Sequence, residues 1–137
     1  MPQGNVYSKF CNGNVLPSAF VKMDTTASEK VIACAATTDY PIGIAQEGAY
    51  QASIPQLTGT QYAGTTISPA IRIYGQGCMD ILLTVGAGGW TAGDKLTSDA
   101  NGAGVTAVAG NIYGAEAMET RSAGELGRVM VTPPTKM

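Results

Sequence analysis

Residues able to do chemistry are sparse in this sequence, and histidine is absent from it altogether. That removes the commonest general base and the commonest neutral metal ligand together. A Ser or Cys nucleophile therefore has no imidazole in this chain to take its proton. Mechanisms built on lysine or carboxylates need a spacing that brings two such groups together, and Asp39, Glu47, Glu116 and Glu119 show none. The three cysteines, Cys11, Cys34 and Cys78, are odd in number and far apart. They fit neither a disulfide framework nor a zinc pattern. Cys34 lies in an apolar run and Cys78 leads into one, so both are expected as small buried hydrophobes, in a protein assembled in a reducing compartment.

Two loops imitate ligand sites and fail on inspection. Gly88 and Gly93 have the separation of a phosphate-binding loop, but Asp94 stands where lysine is needed and Leu96 follows Lys95. A carboxylate there repels phosphate, and no helix follows to hold an anion at its N-terminus. The dinucleotide fingerprint fails as well, because Thr91 occupies its third glycine position. Asp99-Ala100-Asn101-Gly102 looks like the start of a calcium loop, yet Ala103 fills the third ligand position and Gly110 replaces the closing Glu. No metal, cofactor or catalytic residue is expected.

Aromatic residues offer contact instead of reaction. Trp90 is the only tryptophan and sits among glycines in GAGGWTAGD. Large aromatics anchor interfaces because they bury much area at small entropic cost. The other reading of Trp90 is a local lid over the end of the fold. Tyr50 and Tyr62, in a Gln/Gly/Thr-rich stretch, carry the same ambiguity. With Tyr7 and Phe10 near the N-terminus, these five residues are the candidates for a partner or subunit interface.

The elements that must carry them are short. Residues 1–16 mix Asn, Gly, Pro and Ser with isolated bulky side chains. They read as an extended arm, or alternatively as a first strand folded onto its own domain. From Ala19 the period is two, with Ala19, Val21 and Met23 on one face and Phe20, Lys22 and Asp24 on the other. Residues 30–36 are apolar on both faces, like a central strand, and residues 41–45 form another short strand. The run 46–69 is the least patterned part and is expected to meet a partner. Ile71 and Ile73 alternate with Arg72 and Tyr74. Ile81, Leu83 and Val85 point inward from the clearest strand. A flexible loop spans 86–93, and Asn101-Gly102 marks a hairpin between 95–100 and 104–108. Strands at 112–118 and 127–131 follow, and Pro133-Pro134 should end the last. No helical period extends over ten residues. The fold class is all-β, a small antiparallel barrel or sandwich, divided into an arm at 1–16 and a single β domain at 17–137.

Composition suits a protein that covers much of itself with partners. The chain has 137 residues, enough to bury roughly 68% of its unfolded surface in one domain. Charged residues make up 13%, against roughly 25% in an ordinary globular chain. The net charge is −2, and the eight basic residues are scattered singly, so duplex nucleic acid is not an expected partner. No apolar stretch is long enough for a membrane helix, and the opening residues carry no secretory pattern.

Two stretches carry a family resemblance. Pro41-Ile42-Gly43-Ile44-Ala45-Gln46-Glu47-Gly48-Ala49 resembles a segment of small head-decoration proteins of tailed phages. Trp90-Thr91-Ala92-Gly93-Asp94-Lys95-Leu96-Thr97-Ser98-Asp99-Ala100-Asn101-Gly102 resembles their hairpin. Residues 113–117 and 123–131 are similar to their closing pattern. The resemblance implies a non-enzymatic capsid cement protein, often trimeric, on the virion surface after assembly in the host cytoplasm. Its implied partners are the major capsid protein and copies of itself. The alternative is a carbohydrate- or receptor-binding β module of a phage tail or adhesin, motivated by Trp90 and the tyrosines.

Overall fold

A computed structural model describes residues 4–11, 15–25, 30–47 and 70–137. Among them there is no helix. Ten strands follow one another: β1 (Val6–Cys11), β2 (Ala19–Met23), β3 (Lys30–Ala33), β4 (Gly43–Ala45), β5 (Ala70–Tyr74), β6 (Ile81–Thr84), β7 (Lys95–Ser98), β8 (Gly104–Thr106), β9 (Ile112–Ala117) and β10 (Leu126–Lys136). The fold is all-β, as the alternating pattern predicts.

Strands β1 to β5 close into a barrel in the order β1-β3-β2-β4-β5. Every ladder is antiparallel except β1 with β3, which is parallel at Phe10–Lys30 and Cys11–Val31. Closure leaves no strand edge for another chain to extend. Its interior holds Cys11, Val15, Val21, Val31, Ile71 and Ile73.

Strands β6 to β10 form a second sheet in the order β6-β10-β9-β7-β8. Its two edges meet at one parallel bridge between Val85 and Gly104, where the Gly86 N–H donates to the Gly104 carbonyl at 2.8 Å. With that bridge the sheet has the same cycle of neighbours as the barrel. β6 to β10 take the places of β1 to β5, and the parallel contact falls at the corresponding pair.

The registers agree residue by residue. Cys11–Val31 becomes Val85–Gly104, Tyr7–Ile73 becomes Ile81–Val129, and Ala45–Ile73 becomes Ala117–Val129. Local devices repeat too. Ser18 has φ 53° before β2, and Gly93 has φ 93° before β7. The Asp24 N–H donates to the Lys30 carbonyl and the Asp99 N–H to the Ala103 carbonyl, both at 2.9 Å. Glu47 accepts the Arg72 N–H at 3.1 Å, and Glu119 accepts the Arg128 N–H at 2.9 Å. The described chain is therefore two copies of one five-stranded unit.

The copies share a core. Phe20, Ile44 and Tyr74 project from the outside of the N-terminal barrel into the cluster that fills the C-terminal copy, around Leu83, Trp90, Leu96 and Val129. This is why β2 and β4 are apolar on both faces: one lines a barrel and the other a junction. Burying Phe20 and Ile44 contributes roughly 1.5–3 kcal/mol each.

Three expectations change. Of the two readings of the segment 1–16, its described part follows the second, a first strand folded onto its own domain: it is β1, so a boundary at 16/17 falls inside one barrel. Its register mates alternate between buried Ile71 or Ile73 and the less buried Ala70, Arg72 and Tyr74, which a mixed sequence such as VYSKFC does not advertise. The strand at 127–131 does not stop at the prolines. β10 shifts register between Val131 and Thr135 and pairs again with Tyr113 and Ile112, a bulge that places both prolines outside the ladder. The loop 86–93 is tied down rather than loose, through reciprocal Trp90–Arg121 backbone bonds of 3.0 and 3.1 Å and the Gly93 N–H on the Ala117 carbonyl at 2.8 Å.

Candidate interaction surface

The carboxylates of the two loops that imitate ligand sites are engaged in structure. Asp94 accepts the Thr91 N–H at 2.9 Å and the Thr106 hydroxyl at 3.1 Å, so a carboxylate holds the glycine loop where phosphate would sit. Asp99 accepts the N–H groups of Asn101 and Ala103 at 2.8 and 3.0 Å and shapes the hairpin turn. Among the described residues no group of His, Cys, Asp and Glu could hold a metal ion. Burial pushes the Cys34 thiol up to about 12; Asp39 adds to the rise, and Lys22 works against it. Burial also raises Cys11 and Cys78, so all three stay neutral thiols.

Trp90 is not an exposed anchor. It is 4% exposed, and its indole N–H donates to the Glu119 carbonyl at 2.8 Å. The ring fits because Gly104 and Gly127 flank it: a Cβ on either would lie 2.7 or 2.5 Å from ring carbons. The ring is sunk inside the unit, within the core cluster that contains Leu83, Leu96 and Val129. The glycines that admit it lie on β8 and β10, far away in sequence.

Tyr7 and Phe10 are both exposed, to different degrees. Tyr7, 37% exposed, is the register mate of buried Ile73, and its ring lies against Gly75. Phe10 is the mate of exposed Ala70 and stands on the outer face, 55% exposed. Tyr50 and Tyr62 lie outside the described residues.

Sequence reading missed Tyr40, which is 59% exposed, and the groove of about 390 Å³ beside it. Met23, Ile42, Lys22 and Asp39 line that groove, with Lys22 and Asp39 paired at 2.8 Å. A second cleft, of about 340 Å³, lies at the junction of the copies between Leu16, Pro17 and Ala19 on one side and Thr84, Asp99 and Asn101 on the other. On the C-terminal copy, Lys95 and Glu116 form an ion pair on the outer face, with the Lys95 ammonium 5.8 Å from the centre of the Tyr113 ring. This surface offers exposed apolar side chains framed by paired charges. Such an arrangement suits contact with another macromolecule.

No protein-family model matches the chain, and no curated protein matches it. A solved structure does: the head fiber gp8.5 N base in bacteriophage phi29, with a TM-score of 0.67 over 97% of this chain and 98% of that one. The two share one fold. Their sequences are 13% identical, so the likeness is one of architecture. The sequence resemblance pointed to phage heads, and the structural neighbour is a phage head protein.

Proposed function

We propose that this chain is a structural protein of a phage head, placed on the outer surface of the capsid, where it braces the shell. The observation that carries this reading is the end-to-end match of fold with a phage head fiber base. The decoration-protein pattern at residues 41–49 and 90–102 supports it independently. The working groups are contact groups: exposed Phe10 and Tyr40, and paired charges at Lys22–Asp39 and Lys95–Glu116.

In this reading the protein catalyses nothing and needs no cofactor. Its partners are the major capsid protein and further copies of itself, with a trimer as the favoured assembly; nucleic acid and membrane are not partners. Each subunit makes a weak contact with the shell. Joining subunits turns later contacts into intramolecular ones, and avidity rises steeply. The alternative, a glycan- or receptor-binding module, relied first on Trp90, which is 4% exposed.

The test is to mix the purified protein with undecorated heads and sediment them. Saturable co-sedimentation supports the reading. No association at any salt concentration removes it.

A further inference from the structure

The two copies meet head to tail, and the surfaces they use are different. The N-terminal copy contributes Phe20 and Ile44, both fully buried, together with the carbonyls of Ser18 and Thr37. The C-terminal copy receives them with Thr84, Thr97, Ile112 and Gly114. The Thr84 N–H donates to the Ser18 carbonyl and the Ile112 N–H to the Thr37 carbonyl, both at 2.8 Å. The Thr97 hydroxyl also reaches the Thr37 carbonyl, at 3.2 Å, and a Cβ on Gly114 would lie 3.5 Å from the Phe20 ring. A junction built from two unlike surfaces leaves one of each kind unused at the ends of the pair.

Residue equivalence identifies both unused surfaces. The receiving surface of the N-terminal copy consists of Phe10, Lys22, Tyr40 and Ile42, which correspond to Thr84, Thr97, Ile112 and Gly114. Ile112 is 4% exposed under the neighbouring copy, whereas Tyr40 is 59% exposed and opens onto the groove. The inserting surface of the C-terminal copy has Lys95 and Glu116 where the N-terminal copy has Phe20 and Ile44. Their side chains are 39% and 32% exposed.

We infer that a second copy of this chain docks there, its Lys95–Glu116 face seating on the Phe10–Lys22–Tyr40 face and repeating between chains the junction already made within one. The groove on the receiving side contains Lys22 and Asp39, so each surface presents one cation and one anion. The pairs can exchange partners across the contact, Lys95 with Asp39 and Glu116 with Lys22. The contact is therefore more polar than the internal junction and weakens as salt rises. This deepens the self-association part of the proposed function and does not depend on any capsid contact, so either can fail alone.

Complementing broken faces tests it. Phe10→Asp/Tyr40→Asp removes the receiving face and Lys95→Glu the inserting one; circular dichroism and Trp90 emission confirm that both variants are folded. Sedimentation equilibrium of the wild-type chain at low salt should give a mass above the monomer. Each variant alone should be monomeric, and their mixture should form a one-to-one dimer and nothing larger. A monomeric wild-type chain, variants that assemble like the wild type, or folded variants that stay apart when mixed would each overturn the inference.

Discussion

The carboxamide of Gln46 is hydrogen-bonded to both backbone groups of Leu82, its nitrogen donating to the carbonyl at 2.6 Å and its oxygen accepting the N–H at 2.9 Å. Gln46 follows the last residue of β4, and Leu82 lies on β6, so one side chain imitates a strand along the edge of the second sheet and joins the copies. In the C-terminal copy Met118 takes the corresponding place, where no second junction exists within the chain.

Gln46→Ala should lower stability by about 1–2 kcal/mol, the worth of two ordinary hydrogen bonds. Gln46→Glu should cost at least as much near neutral pH, because a carboxylate turned to the Leu82 carbonyl has no proton to donate. Urea unfolding of the three proteins checks this. Equal midpoints would mean that the junction does not depend on the pairing.

Trp90 should report on the C-terminal core. As the only tryptophan, buried between two glycines, it should emit at short wavelength in the native protein and shift to the red on unfolding. Trp90→Ala should cost about 3–5 kcal/mol through the cavity it leaves. Gly127→Ala should cost about 1–3 kcal/mol by crowding the ring. Native emission already at the wavelength of exposed indole would contradict this packing.

Stability should fall in acid through two carboxylates. Glu119 is held below the usual carboxylate range by the Arg121 guanidinium and then by the Arg128 N–H. Burial acts to raise Asp39, but the Ala35 N–H and Lys22 outweigh it and hold its carboxyl low. A lowered folded value means that the unfolded chain takes up protons first. The contribution is complete above about pH 4 and disappears as pH drops through the folded values. Denaturation midpoints measured downward from neutral pH should therefore fall most steeply below about pH 4. Asp39→Asn and Glu119→Gln should each flatten that fall, and slopes like the wild type's would count against it.

Thiol chemistry should be silent in the native state. Thiolate is the reactive form, and burial keeps Cys11, Cys34 and Cys78 protonated. A thiol reagent at about pH 8 should label none of them until denaturant is added, and then all three. Rapid labelling of the folded chain would show that a thiol is accessible.

Most strands after β1 were legible because a strand needs little more than alternation and a turn. Ile71–Arg72–Ile73–Tyr74 follows it, Ile81–Leu82–Leu83–Thr84 follows it apart from the exposed Leu82, and Asp99 to Gly102 supplied the hairpin. The duplication was not legible. A barrel of this kind fixes few identities, so only scattered matches survive, such as Asp24 with Asp99, Glu47 with Glu119 and Arg72 with Arg128. The connections also differ in length, 46–69 in one copy and 118–125 in the other, which destroys any constant period. Surface roles were harder still. Trp90 looked exposed because its neighbours are glycines, while the residues that cover it come from other strands. Tyr40 carries no signal in the sequence, and its exposure stands out only beside its counterpart Ile112, which is buried.

Internal pressure gives the most direct measurement. Undecorated, DNA-filled heads are heated with and without added protein, and release of DNA is followed with a dye excluded by intact shells. A chain that binds and braces the shell should raise the release temperature saturably, with saturation at the same ratio of protein to heads that saturates co-sedimentation. Binding without any shift would contradict the bracing role, and an unchanged release curve with no protein on the heads would contradict the assignment to the capsid surface.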